Sequence, residues 1–282
     1  MNGAHSSFVD AGGVSIHART VSCAASKAPP VVILHGFTGS TESMRGVVTE
    51  LCQTRETVCI DLVGHGRSDA PRQPGQYTMD RCAEQVATVV EALALRRPHM
   101  LGYSMGGRAA LACCANFPER VRSAMLIGAS AGLTDPDARR ARIEEDESLA
   151  DRIIAQGLEA FVEEWMAKPV FASQGRRCAS ALAELRAEKL HNLPHGLALS
   201  LLGMGTGAMS PIELIALRVP TCFVAGAQDK KFSTIAREYA DTLPDSRCEI
   251  VADAGHAVHL ENQEELGRVA RDYFAEIDAE TN

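Results

Sequence analysis

With 282 residues, 46% of them hydrophobic, the chain is long enough to bury a large core as one domain or two. Its net charge of −8, with no basic run of five or more residues, argues against nucleic acid or an anionic membrane surface as the main partner. No apolar run approaches the roughly 20 residues that span a bilayer, and the opening "MNGAHSSFVDAGG" lacks the charged and apolar regions of a signal peptide.

In chain order, Phe8–Val9 and Val14–His17 flank "DAGG", the pattern of a hairpin. "VVIL" at 31–34 is a continuous apolar run of the kind buried on both faces of a parallel sheet. A helix is expected over 41–53 and a strand, "ETVCID", over 56–61. Thr78 is placed to cap a helix over 78–95, and the strand "HMLGY" at 99–103 follows. Next come a helix over 105–116 and the strand "SAMLIGA" at 123–129. Later in the chain lie "TCFVAG" at 221–226, a helix over 232–242, "CEIVA" at 248–252 and a helix over 261–277. This alternation specifies a mostly parallel, doubly wound α/β sheet with helices on both faces.

The alternation is interrupted between Ser130 and Pro211 by a helical, charged segment. "DPDARRARIEEDESLADRII" opens with Asp135 as N-cap and Pro136 at the first helical position. "LEAFVEEWMAKPVF" and "RRCASALAELRAEKL" continue it. We read a helical lid at 130–211 inserted into a core made of 1–129 and 212–282. Nine cysteines without a C-x-x-C, two of them adjacent at 113 and 114, fit reduced thiols in a cytoplasmic protein.

The chemistry is concentrated in "HMLGYSMGGRAAL" at 99–111. Here G-x-S-x-G lies between an expected strand and an expected helix, so Ser104 takes a sharp turn that exposes its hydroxyl at the carboxyl edge of the sheet. A nucleophilic or basic serine needs a histidine, and the histidine an orienting acid. "VAGAQDKKF" places Asp229 after a late strand, and "VADAGHAVHLEN" places His256 after the last one, the Ser…Asp…His order of α/β-hydrolases. Asp253 is the competing acid and His259 lies three residues beyond His256. The backbone N–H groups of Met105 and of Phe37, in "LHGFTGS", are the expected oxyanion donors. His35 and His65 read as structural.

Two other motifs carry little. "GMGTG" at 203–207 follows no strand, as a dinucleotide fingerprint would have to. His191 and His195 have helical metal-pair spacing, but Pro194 interrupts them and no third ligand is near.

Several segments together resemble the 2-succinyl-6-hydroxy-2,4-cyclohexadiene-1-carboxylate (SHCHC) synthases of menaquinone and phylloquinone biosynthesis, from about residue 30 to residue 275. They are "VVILHGFTGS", "IDLVGHGRSD", "GYSMGGR", "SAGLTDPDARRAR", "FVEEWMAKPVF", "GLALSLLGMGTGAMS", "QDKKFSTIA" and "AGHAVHLEN". The resemblance implies an α/β-hydrolase fold and a lyase that eliminates pyruvate from a small tricarboxylate, with Ser104 as the proton-abstracting base. It implies no cofactor and no metal. It places substrate contacts on Tyr103, Arg108, Arg142, Trp165 and Arg186. Arginine suits this role because its planar fork matches a carboxylate. Arg139 and Arg140 compete with Arg142 for the pocket-facing register, and both Arg142 and Arg186 have acidic neighbours typical of a solvated helix face. Trp165 could equally anchor the packing of the lid. A serine carboxylesterase working through an acyl-enzyme is the rival activity, and a non-catalytic ligand-binding descendant of the fold the third reading. We expect no nucleic-acid partner, no membrane insertion, and a monomer or small homo-oligomer.

Overall fold

The computed structural model describes residues 3–24 and 26–281, Arg176 and Thr281 by their backbone alone. Eight strands form one sheet in the order β1-β2-β4-β3-β5-β6-β7-β8. They are β1 (Ala4–Asp10), β2 (Ser15–Val21), β3 (Val31–Leu34), β4 (Thr57–Ile60), β5 (His99–Tyr103), β6 (Ala124–Ile127), β7 (Thr221–Gly226) and β8 (Ser246–Val251). The β1-β2 hairpin joins the sheet antiparallel, and every pairing from β4 to β8 is parallel. The hairpin is longer than its apolar residues suggested. β1 is an exposed edge whose polar side chains do not advertise a strand, and the turn is locked by Gly13 N–H donating to Asp10 Oδ1 at 2.7 Å.

The central strands are buried on both faces, and successive residues serve opposite cores. Val32 and Leu34 pack on one side, Val31 and Ile33 on the other, and Met125 and Leu126 divide in the same way. Each such side chain contributes about 1.5–3 kcal/mol by leaving water. Helices α1 (Arg45–Leu51) and α10 (Gln263–Thr281) cover one face; α2 (Met79–Ala92), α3 (Met105–Asn116) and α8 (Lys230–Thr242) cover the other. Thr78 caps α2 by accepting from Arg81 N–H at 3.2 Å.

Two helices differ from expectation. α1 begins at Arg45 rather than near 41, because Thr41 N–H is held by Asp61 Oδ1 at 2.6 Å and Ser43 Oγ turns back to donate to Ser40 O. The last helix is split. A short α9 (Val258–Glu261) ends at Asn262, and the Glu261 carboxylate accepts from the N–H groups of Gly255 and Ala257.

Four helices lie between β6 and β7: α4 (Pro136–Gln156), α5 (Leu158–Met166), α6 (Ala179–Lys189) and α7 (Pro194–Met204), with a 3-10 turn at Pro169–Arg176. Asp135 caps α4 through Ala138 N–H at 2.7 Å, ahead of Pro136. The insertion has its own core of Leu149, Ile153, Phe161, Val162, Leu197 and Leu201, against which Phe37 of the sheet region packs. All nine cysteines are free thiols. No helix among the described residues is long and apolar enough to cross a membrane.

Candidate active site

β5 ends at Tyr103 and α3 starts at Met105, so a single residue makes the corner. Ser104 makes it at φ 51°, ψ −109°, a conformation unfavourable for a side-chain-bearing residue. Its N–H is anchored to Ile127 O at 2.8 Å. The flanking glycines are steric necessities. A Cβ on Gly102 would lie 2.3 Å from Gly106 O, and one on Gly106 would lie 2.4 Å from both Leu34 O and His35 O.

The ends of β7 and β8 deliver the partners. His256 Nε2 lies 3.2 Å from Ser104 Oγ, and its Nδ1 lies 2.7 Å from Asp229 Oδ2. Asp229 is fixed from a second direction, since its Oδ1 caps α8 by accepting from Phe232 N–H at 3.2 Å. Burial pushes the Asp229 carboxyl up, but the hydrogen bond and charge of His256 outweigh it, so the group stays below its ordinary value and ionised. Asp253, the competing acid, sits in a left-handed turn beyond β8, and the histidine faces Asp229. The His256 ring is held by Phe232 at 4.8 Å and Tyr103 at 5.4 Å between centroids. Among the described residues, neither Phe37 N–H nor Met105 N–H donates a hydrogen bond. Met105 N–H is the first of α3, directly after the serine.

His35 and His65 are structural, as expected. His35 bridges Gly36 O at 2.8 Å and Leu62 N–H at 3.0 Å. Burial holds His35 below its usual range and pulls His65 to about 3.

A narrow cleft of about 30 Å³ is lined by Phe37, Tyr103, Trp165, Phe171, Lys189 and His259 among others, and it approaches the serine and histidine through their chain neighbours Tyr103 and Ala257. Phe37 and Trp165 meet edge to face at 5.1 Å. Trp165 also lines an open groove of about 690 Å³ on the insertion that contains Arg142, so one indole separates the two spaces.

The arginines divide. Arg108 is largely enclosed: its Nη2 donates to Met204 O at 2.9 Å, while its buried Nε has no partner among the described residues. Burial, with Arg142 nearby, lowers it to about 10, and Asp146 only partly offsets this. Arg142 Nε donates to Asp146 Oδ2 at 2.9 Å, whereas Arg139 donates to Gly207 O and Arg140 pairs with Asp137. Of the three register candidates, Arg142 is thus the one facing Arg108. Arg186 stands apart, donating to Glu163 Oε1 at 2.5 Å with a side chain 41% exposed. The structure does not bring it to the cleft. Lys189 is there instead, a cation that no motif had marked.

"GMGTG" is neither strand-linked nor a phosphate cradle; it ends α7, and its Met204 carbonyl receives Arg108. His195 Nε2 bonds Ala70 O at 2.8 Å, and no cluster of three metal-binding side chains occurs among the described residues.

The sheet order, the strained corner serine and its relay define an α/β-hydrolase, and a model of the α/β-hydrolase fold matches residues 29–263. A Bacillus subtilis (strain 168) protein provisionally named 2-succinyl-6-hydroxy-2,4-cyclohexadiene-1-carboxylate synthase is 39% identical over 249 residues, covering 88% of this chain and 90% of that one. The Salmonella agona (strain SL483) synthase of that name is 32% identical over 238 residues, 83% and 89% of the two chains. The solved MenH structure from S. aureus superposes with a TM-score of 0.88 at 26% identity, covering 92% of this chain and 98% of that one. The chain belongs to the SHCHC synthase family.

Proposed function

We propose that this protein eliminates pyruvate from 2-succinyl-5-enolpyruvyl-6-hydroxy-3-cyclohexene-1-carboxylate to give SHCHC, as a carbon–oxygen lyase of menaquinone biosynthesis in the cytoplasm. Substrate and product differ by one C–H bond, one C–O bond and one ring C=C bond, the cyclohexene becoming a conjugated cyclohexadiene. Ser104 Oγ, its proton drawn to His256 Nε2, takes the hydrogen from the ring carbon bearing the succinyl ketone. Asp229 keeps the imidazole in the tautomer that accepts this proton and stabilises the imidazolium. The amides of Phe37 and Met105 receive the enolate oxygen. The electron pair moves through the ring alkene and expels the enolpyruvyl oxygen as pyruvate enolate, whose methylene carbon takes up one proton to give pyruvate while the Ser104–His256 pair gives up the one it gained. The step is redox-neutral and needs no co-reactant.

The single observation that carries this reading is Arg108. A buried guanidinium with an unpartnered Nε, one helical turn beyond the serine, is costly unless an anion completes it. A tricarboxylate does so; a neutral ester does not. Arg142 stands near Arg108 on the groove side of Trp165, and Tyr103 lines the cleft on its other side. The cleft is far smaller than the roughly 300 Å³ or more of usual ligand sites. We therefore assign residues 130–211 as a lid that must shift for entry, with Glu163 competing against a substrate carboxylate for Arg186. The same Ser–His–Asp arrangement would also support acyl transfer from a carboxylic ester. Incubation with the enzymatically generated substrate, following pyruvate by a coupled dehydrogenase, tests the assignment. Pyruvate release without a covalent adduct on Ser104 is expected. An ester burst with no pyruvate would move the protein to the carboxylesterases.

A further inference from the structure

We propose that Lys189, with His259 beside it, forms a carboxylate-binding subsite in the cleft lined by Tyr103, taking one of the three carboxylates of the substrate assigned above. The choice of that substrate rests on the proposed function; the existence of the subsite rests on the geometry alone.

Lys189 is the last residue of α6 and lines the cleft with Tyr103, Phe37 and Trp165. Its Nζ donates to Thr38 Oγ1 at 3.1 Å. Among the described residues no carboxylate lies within ion-pair distance of it. Its neighbour Glu188 turns away and accepts from Ser40 Oγ at 2.8 Å. The second observation is independent. His259 lines the same cleft, is 2% exposed, stacks on Tyr103 at 4.0 Å, and its buried Nδ1 has no partner among the described residues. Two residues lining one small space, one an ammonium and the other an imidazole with an unpartnered nitrogen, match a carboxylate, which accepts from both. The other cations that resemblance had nominated in the lid, Arg142 and Arg186, already have carboxylates.

The charged and titratable groups facing Lys189 are Glu188 on its own helix, His35 and His65 from the loops after β3 and β4, and His259. Arg177, on the Leu260 carbonyl, adds positive charge near His259. Burial lowers Lys189 to about 8, with Glu188 the only group raising it. It lowers His259 too, leaving a neutral imidazole able to offer an N–H. A bound carboxylate would favour the protonated ammonium, so affinity should weaken as pH rises through about 8.

Two measurements test the subsite. In the pyruvate assay, Lys189→Met should raise KM roughly 10- to 100-fold with a smaller change in kcat, and Lys189→Arg should restore most of the loss. The wild-type KM should climb above pH 8, and Lys189→Arg should flatten that climb. A Lys189→Met KM within twofold of wild type, in protein with unaltered melting, would overturn the proposal, as would an alkaline rise retained by Lys189→Arg. The second measurement needs no turnover. Trace acetylation of the wild-type protein is followed at Lys189 by peptide mass spectrometry, with succinate or its neutral diamide present at matched ionic strength. Protection by succinate alone supports the subsite; equal protection by both, or by neither, overturns it. A protein that releases no pyruvate yet shows this selective protection would refute the proposed function and leave the subsite standing.

Discussion

In the sheet, His256 sits between Asp229 and Ser104 at 2.7 and 3.2 Å, and each partner is also fixed by backbone: Asp229 caps α8 and Ser104 N–H holds Ile127 O. In the insertion, Arg142 and Arg186 are held by Asp146 and Glu163, carboxylates of the insertion itself. The first set is complete before any substrate arrives, and its geometry is fixed by three strand ends. In the second, each guanidinium is already held through its Nε by a carboxylate that competes with a substrate for it. In the reaction proposed above, preorganisation therefore resides in the sheet. The insertion supplies charge that is held in reserve, and Arg108 and Lys189, without carboxylates, lie between the two regimes.

The largest effects should come from the sheet. Ser104→Ala and His256→Ala should each lower kcat by roughly 10³-fold or more, about 4 kcal/mol, with KM little changed. The double variant should be scarcely worse than the poorer single one, because the groups act as a unit. Asp229→Asn should lose activity while keeping the α8 cap, since an amide oxygen still accepts from Phe232 N–H. Near-normal turnover in Ser104→Ala would remove the catalytic role from the sheet altogether.

The sheet region should also dominate acid sensitivity. Burial holds His99 at about 2, with Arg55 and Arg122 adding to it; His65 lies at about 3, and His35 and His259 are lowered too. A histidine whose folded value lies below its unfolded value of about 6.5 contributes stability that is full above 6.5 and is lost as pH falls. Each site can steepen the decline by up to about 1.4 kcal/mol per pH unit below 6.5. Melting temperature should hold from pH 7 to 8 and drop between 6.5 and 5. A flat profile across that window would mean that these imidazoles find protons without unfolding.

These contrasts explain what could be read from the chain. Ser104, Asp229 and His256 were legible because each follows a strand with a short local signature, and strand order does the rest. The α4 cap at Asp135-Pro136 was legible for the same local reason. The start of α1 was not, because Asp61, distant in sequence, captures Thr41 N–H. Lys189 was invisible: in "AELRAEK" it is one charge among several on what reads as a solvated helix. Its burial depends on Thr38 and His259 from other elements. Pairwise context of this kind also decides which arginine of Arg139, Arg140 and Arg142 faces Arg108.

Arg108→Met sharpens the comparison next. We expect kcat/KM for the tricarboxylate to fall about 30- to 300-fold, or about 2.0–3.4 kcal/mol. Slow hydrolysis of a small neutral ester should barely change, and melting should hold or rise, since an incompletely bonded buried cation is removed. Parallel loss of both activities would instead make Arg108 a support for the elbow through Met204 O.

Arg186→Met should have the smallest effect on the free protein and is the most informative about the lid. Its bond to Glu163 joins two partly exposed side chains, 41% and 64% accessible. Exposed pairs of this kind are worth about 0–1 kcal/mol, so melting should move by little more than a degree or two. If Arg186 stays with Glu163 during turnover, kcat/KM should be within about twofold of wild type. If it swings inward when the insertion closes, Arg186→Met should raise KM at least tenfold while melting is unchanged. Glu163→Gln then separates the cases, because it frees the guanidinium without removing it. Under the swinging model Glu163→Gln lowers KM, since the exchange of partners no longer opposes binding. Under the static model it does nothing to KM, and the arginine the family resemblance placed in the pocket is a surface ion pair in this chain.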